Sequence, residues 1–65
     1  MRRLKPGEVV VIIDDTDIPM AIGQLFTTDN YDEDFNSYDV KENGYYCFYE
    51  GEYIVLADIL NRRVL

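Results

Sequence analysis

The sequence predicts an all-β protein with a single domain over residues 1–65 and at most one short helical turn. A chain of 65 residues has room for one hydrophobic core only. Its apolar fraction of 48% is that of a folded protein rather than a disordered one. β-branched and aromatic residues dominate this apolar set, and turn residues recur about every 8–12 positions, as in proteins built from short strands. We therefore expect four to six strands in a small barrel or in two packed sheets.

The strand-like segments are separated by glycine, proline and acidic residues. Pro6 and Gly7 mark a turn, and Gly23 indicates a bend or a bulge inside the second segment. The acidic stretch 14–19 predicts a loop with Ile18 turned inward, and residues 29–36 predict a second loop. Residues 57–60 predict the one helical turn. The strands are predicted at residues 8–13, 21–28, 35–41, 45–49, 53–56 and 62–65, the first buried on both faces.

The sharpest local signal is the pair Asn43-Gly44. Both central residues of a type I′ turn need a positive φ, which Asn and Gly tolerate best. The pair therefore predicts a hairpin whose second strand is residues 45–49. Alternation along that strand gives Tyr46 and Phe48 one face and the residues between them the other.

The order of these elements resembles that of bacterial and phage SH3-like barrels, including those with KOW-type cores. The resemblance covers nearly the whole chain as a pattern of short motifs, namely Lys5-Pro6-Gly7-Glu8-Val9-Val10-Val11-Ile12, Ile22-Gly23, and Tyr38-Asp39-Val40 ahead of the Asn43-Gly44 turn. It implies a small SH3-like five-stranded barrel whose first and last strands pair. Small phage or prophage accessory proteins are the most similar to this chain in size and charge.

Charge is distributed unevenly along the chain, whose net charge is −7. Residues 6–61 hold all 13 acids against Lys41 alone, so this stretch carries −13 + 1 = −12. If the first and last strands pair, the terminal bases form a basic seam and the acids gather at the opposite rim. We therefore expect a partner protein with a basic surface, and no direct contact with nucleic acid, whose phosphates need Lys and Arg. The simpler interpretation is that the charge only keeps the chain soluble. The terminal bases are Arg2, Arg3, Lys5, Arg62 and Arg63.

Acidic residues and tyrosines are the candidate binding residues. Alternation cannot bury every aromatic residue of 45–49 in one small core, so some of them lie outside. Exposed tyrosine is common in binding patches, and its ring attracts Arg and Lys through cation–π contacts. Tyr31, with Tyr46 or Tyr49 and Tyr53, is predicted to form an aromatic and acidic groove for a basic protein segment. The candidate residues are Asp14, Asp15, Asp17, Asp29, Tyr31, Asp32, Glu33, Asp34, Tyr46, Tyr49 and Tyr53.

Catalytic and metal-binding residues are not predicted. The chain has no His, and its single cysteine, Cys47, lies between aromatic residues and is expected to be a buried structural thiol. Residues from Asp32 onward begin like a calcium-binding loop, but Ser37 stands where that loop needs Gly and Asn43 where it needs Glu. We expect no enzymatic activity, no metal and no cofactor.

Cellular location is predicted from the same composition. A single cysteine allows no internal disulfide, and no segment approaches the roughly 20 apolar residues that span a bilayer. We expect a cytoplasmic protein with no membrane partner.

Three functions follow from these expectations. The first is a non-enzymatic protein-interaction module of phage or prophage type, which engages a basic partner through acidic loops and exposed tyrosines. The second is an acidic mimic of nucleic acid that inhibits a host nucleic-acid-binding enzyme. The third is a KOW-like RNA-binding domain that uses the basic terminal seam.

Overall fold

The computed structural model describes residues 3–62, with side chains for residues 3–61. The described chain is mostly β, as predicted. Its helix is longer than the single turn expected, because seven residues make about two turns. The predicted strand at 62–65 is wrong at Arg62, which belongs to this helix, and residues 63–65 lie outside the described residues. The elements are β1 (Val9–Ile12), β2 (Leu25–Asp32), β3 (Ser37–Val40), β4 (Asn43–Tyr49), β5 (Tyr53–Val55) and α1 (Leu56–Arg62).

The five strands form one antiparallel sheet in the order β4-β3-β2-β1-β5. Strand β1 lies between β2 and β5, so the first strand of the described chain pairs with the last. Two residues of β1, Val10 and Val11, have a partner in each neighbouring strand. Val10, for example, pairs with Phe26 on one side and with Val55 on the other.

Alternating residues of the strands build the core. Val10 and Ile12 of β1 are buried, as are Tyr38 and Val40 of β3 and Phe48 of β4. The intervening Asp39 is half-buried, so the predicted inward face of β3 is confirmed. Burying a side chain the size of Phe48 stabilises the fold by about 1.5–3 kcal/mol. The predicted inward position of Ile18 is confirmed as well.

Tyr38 is the centre of an aromatic cluster in this core. Its ring stacks on Phe48 with centroids 5.4 Å apart and meets the edge of Tyr53 at 6.1 Å. Its hydroxyl accepts a hydrogen bond from the backbone N–H of Leu4, at 3.1 Å, and Leu4 is itself buried. The start of the described chain is therefore fastened to the middle of the sheet.

Strand β1 is buried on one face only, contrary to the prediction for residues 8–13. Val9 and Val11 are half-buried and Ile13 is exposed. A continuous apolar run is typical of a strand covered on both sides, but here the described residues pack mainly on the inner side. The run of valines and isoleucines therefore leaves an apolar outer face.

Strand β2 begins later and extends further than predicted. Gly23 lies in a turn with φ of 84°, and the strand begins only at Leu25. It continues through residues 29–32, which were predicted as a loop, because β3 supplies partners for Tyr31 and Asp32 across a β-bulge. The acidic loop is thereby reduced to the turn 33–36.

The predicted type I′ turn at Asn43-Gly44 is wrong. Neither residue has a positive φ, and the turn lies two residues earlier, at Lys41 and Glu42, so that Val40 pairs with Asn43. The Glu42 carboxylate accepts hydrogen bonds from the Thr27 backbone N–H at 2.8 Å and from its hydroxyl at 2.6 Å. These bonds hold the turn against β2. The pairing of β3 with β4 is irregular beyond this turn. Val40 pairs with Asn43 but Asp39 pairs with Cys47, so residues 44–46 have no partner in this register.

Candidate binding surface

Arg3, Tyr31 and Glu33 form a cation site at the end of the β2–β3 hairpin. The Arg3 guanidinium carbon lies 4.1 Å from the centroid of the Tyr31 ring, and its Nη1 lies 3.4 Å from Glu33 Oε1. The Tyr31 ring rests edge-on against Tyr38 at 4.8 Å, and its hydroxyl donates to Asn36 Oδ1 at 3.0 Å. The Tyr31 ring is therefore held in place by Tyr38 and by the bond of its own hydroxyl. The arginine lies on an aromatic and acidic surface that the rest of the fold positions.

This arrangement corrects the predicted separation of basic and acidic regions. Arg3 was expected in a basic seam at the opposite rim from residues 29–34, but it contacts that hairpin directly. Lys5, two residues further along the chain, is exposed. Of the other terminal bases, Arg2 and Arg63 lie outside the described residues, as does the side chain of Arg62.

A cavity of about 300 Å³ opens beside this cation site. Its walls are Arg3, Tyr31, Asn36, Tyr38 and Glu50. Asn36 has a φ of 55°, a left-handed conformation that Asn tolerates better than most residues. The cavity places a guanidinium, a carboxylate and an amide on one concave and polar surface.

The acids of the first loop bind the loop's own backbone. Asp14 accepts hydrogen bonds from the Thr16 hydroxyl at 2.6 Å and from its N–H at 3.0 Å, and these bonds lower the pKa of Asp14. Asp15 accepts a bond from the N–H of Met20 at 3.2 Å. Two of the predicted binding residues therefore shape the loop, and their charges are held in fixed positions.

Glu52 connects this loop to the turn between β4 and β5, although the sequence did not single it out. It is buried, and its Oε1 accepts a hydrogen bond from the Tyr49 N–H at 2.8 Å. Burial raises the pKa of Glu52 and outweighs the bond from the Tyr49 N–H, which lowers it; a hydrogen bond with Asp17 and the charges of Asp17 and Asp14 raise it further. The pKa of Tyr49 is raised mainly by Cys47, with smaller effects of burial, Asp17 and Glu52.

The four hairpin acids differ in their surroundings. Asp32 accepts a hydrogen bond from the Asp34 N–H at 2.9 Å and so holds the turn. Asp29 is half-buried in β2 at the bulge. Glu33 and Asp34 are exposed, and Glu33 is the acid that contacts Arg3. Glu33 is therefore the hairpin acid whose carboxylate already pairs with a base.

The tyrosines lie in different parts of the sheet. Tyr46 packs edge-on against Phe26 at 6.4 Å, whereas Tyr53 packs against the core ring of Phe48 at 5.1 Å. Tyr49 is half-buried, and its backbone N–H bonds to Glu52. The most exposed tyrosine is Tyr45, at 97%. It was not among the candidates, although alternation along residues 45–49 places it on the face opposite Phe48.

In the described part of the chain, no group of three or more Cys, Asp or Glu side chains is placed to hold a metal ion. No helix within residues 3–62 is long and apolar enough to cross a bilayer. Cys47 is half-buried rather than buried, and its thiol is free. The chain matches no family model, and comparison with curated proteins and with solved structures finds no similar protein.

Proposed function

We propose that this chain is a protein-interaction module that binds an arginine-bearing segment of a partner on the β2–β3 hairpin. The observation that carries the proposal is the position of Arg3 over Tyr31 and beside Glu33. A ring face backed by Tyr38 and flanked by a carboxylate offers an arginine both a cation–π contact and an ion pair. Here the chain's own arginine takes that position, so a partner's arginine takes it by displacing Arg3.

The exchange costs little because both groups are accessible. The side chains of Arg3 and Glu33 are 58% and 78% exposed, and exposed ion pairs contribute about 0–1 kcal/mol. The surrounding charge favours a basic partner, since Asp32 and Asp34 flank Glu33 in the chain and Glu50 lines the adjoining cavity. A longer basic segment can therefore contact these neighbouring carboxylates as well, which a single arginine cannot.

An SH3-like barrel of non-enzymatic, phage or prophage type in the cytoplasm remains part of this proposal. The strand order β4-β3-β2-β1-β5, in which β1 joins β2 to β5, supports the SH3-like assignment. The single free cysteine supports a reducing compartment. The two other functions have less support. Arg3 pairs with Glu33 rather than lining a basic seam for RNA, and several carboxylates bind the protein's own backbone rather than standing free as phosphate mimics.

The test is a titration of the full chain with a short synthetic arginine-rich peptide and with its lysine counterpart. We expect the arginine peptide to bind several-fold more tightly to Arg3→Gln, which empties the site, than to the unaltered chain. Tyr31→Leu and Glu33→Gln should weaken binding several-fold, and Tyr45→Leu is the matched control because it removes an exposed tyrosine elsewhere. Equal affinity for all four variants, or for the arginine and lysine peptides, contradicts the proposal. Displacement of DNA from a nucleic-acid enzyme without any effect of Arg3→Gln favours the mimic instead.

A further inference from the structure

A row of apolar side chains crosses the outer face of three strands, away from the core. The register places Leu25 of β2, Val11 of β1 and Ile54 of β5 opposite one another. Leu25 is 54% exposed and Ile54 39%, and Val11 between them is half-buried. Ile13, two residues beyond Val11 and on the same side of the chain, is 47% exposed. We call these four residues the outer apolar row.

The row continues toward the helix. Val9 lies on the same face of β1 as Val11 and also lines an apolar groove of about 240 Å³. The rest of the groove is lined by Glu8, Val55, Leu56, Ala57 and Leu60. Single exposed apolar side chains scattered over a surface are normal in small proteins. Apolar side chains that lie side by side across three strands form a patch instead, and such patches are typical of binding sites.

Four carboxylates belong to residues that line this surface, bond to it or adjoin it in the chain. Glu42 lies on Thr27, which pairs with Val9, and Asp14 follows Ile13. Glu8 lines the groove, and Asp58 lies in the first turn of α1. The lysines nearest in the chain to these acids are Lys5 and Lys41. The margin is therefore net acidic by these residues, in agreement with the charge of −7 on the whole chain.

From this combination we infer that the outer apolar row binds a partner segment that presents aliphatic side chains between lysines or arginines. A second copy of the chain fits less well, because pairing two such faces brings two net charges of −7 together. The surface is separate from the cation site. Tyr31 lies six residues beyond Leu25 along β2, which is about 20 Å at about 3.3 Å per residue. The inference therefore does not depend on the proposed function.

The test is an NMR titration of the full chain with a synthetic peptide of alternating leucine and lysine, beside counterparts with glutamate for lysine and serine for leucine. The amides of Val11, Leu25 and Ile54 should shift with the leucine–lysine peptide and with neither counterpart. The triple variant Val11→Thr, Leu25→Thr, Ile54→Thr keeps strand-forming residues and should weaken binding at least tenfold. A matched control, Ile22→Thr with Phe35→Thr, removes two exposed apolar side chains from turns and should change affinity by less than twofold.

Each remaining outcome opposes the inference. Shifts centred on residues 31–36 assign the peptide to the cation site alone, and equal affinity of the triple variant and the control means that the row does not bind. Sedimentation equilibrium that shows a dimer of the unaltered chain, lost in the triple variant, assigns the row to a second copy. Should the triple variant fail to fold by circular dichroism, the single variant Leu25→Thr replaces it, because Leu25 is more than half exposed.

Discussion

Arg3 covers the ring of Tyr31 at 4.1 Å, so a base from the start of the described chain occupies an aromatic face 28 residues further on (31 − 3). Glu33, two residues beyond Tyr31, completes the contact at 3.4 Å. Arg3 and Glu33 therefore neutralise one another in part. The contact joins a base near the start of the chain to an acid of the hairpin, although the distribution of charge along the sequence predicted that they lie at opposite rims.

The contact should contribute modestly to stability. We expect Arg3→Gln to lower the free energy of unfolding by about 0.5–1 kcal/mol, because a cation–π contact and an exposed ion pair are lost together. Urea denaturation measures this difference. In the unaltered chain the δ protons of Arg3 should be shifted upfield by the ring of Tyr31, and that shift should vanish in Tyr31→Leu. Random-coil chemical shifts for Arg3 in the unaltered chain would rule out the contact.

Glu42 should stabilise the fold through its bonds to Thr27. The pKa of Glu42 is lowered mainly by the hydrogen bond from the Thr27 hydroxyl and then by that from its N–H. Glu42→Gln keeps the shape but loses the charge. We expect a loss of about 1 kcal/mol at pH 7, less than hydrogen bonds to charged groups usually contribute, because the carboxylate is exposed. Asp34→Asn, which removes an exposed carboxylate in another turn, is the control and should change little.

The pH dependence of that loss follows from the direction of the shift. Because the folded pKa lies below the ordinary value of 4.5, the contribution of Glu42 is fully present above pH 4.5 and is lost as the pH falls through the folded pKa. Urea denaturation at a series of pH values should therefore show Glu42→Gln and the unaltered chain converging in acid. A difference that stays constant down to the lowest pH would show that the carboxylate charge is not responsible.

Glu52 should behave in the opposite way. Its pKa is raised by burial, so its contribution is fully present below the ordinary value of 4.5 and is lost as the pH rises through the folded pKa. Glu52→Gln keeps an acceptor for the Tyr49 N–H and removes the charge that burial and Asp17 disfavour. We expect a gain on the order of 1 kcal/mol at pH 7, disappearing in acid, with the exposed Glu50→Gln as the control. Thermal unfolding of the variant and of the unaltered chain at pH 7 and in acid measures this gain. If Glu52→Gln is less stable than the unaltered chain at pH 7, the fold prefers the anion.

Thr28 and Thr27 form a matched pair for a test of buried polarity. Thr28 is fully buried, and among the described residues its hydroxyl has no hydrogen-bond partner, whereas the Thr27 hydroxyl donates to Glu42. Thr28→Val should therefore stabilise by about 1 kcal/mol, and Thr27→Val should destabilise by a similar amount. Urea denaturation of both variants decides. Destabilisation by Thr28→Val would show that its hydroxyl does form a hydrogen bond.

Alternation predicted the inner face of the sheet well, because one-sided burial leaves a direct record in sequence at Tyr38, Val40 and Phe48. Turn chemistry predicted less. Asn43-Gly44 is a strong turn signal, yet the bonds from Thr27 to Glu42 place the turn earlier, and such long-range contacts leave no local pattern.

The candidate site shows the same limit. Tyr31 and Glu33 were predicted from composition, but their arginine partner was expected at the other end of the molecule. Glu52 was missed because its burial depends on where the first loop packs. Its neighbours in the sequence carry no sign of that packing.

The hydrogen bond from Leu4 to the hydroxyl of Tyr38 has a consequence for proteolysis. Trypsin cleaves after Arg and Lys, but Pro6 protects the bond that follows Lys5, so the Arg3–Leu4 bond is the position near the start of the described chain whose sequence trypsin can cut. Because Leu4 is buried, a protease reaches that bond only after Leu4 has left the core. The rate of clipping there therefore reports how often the aromatic centre of the sheet opens.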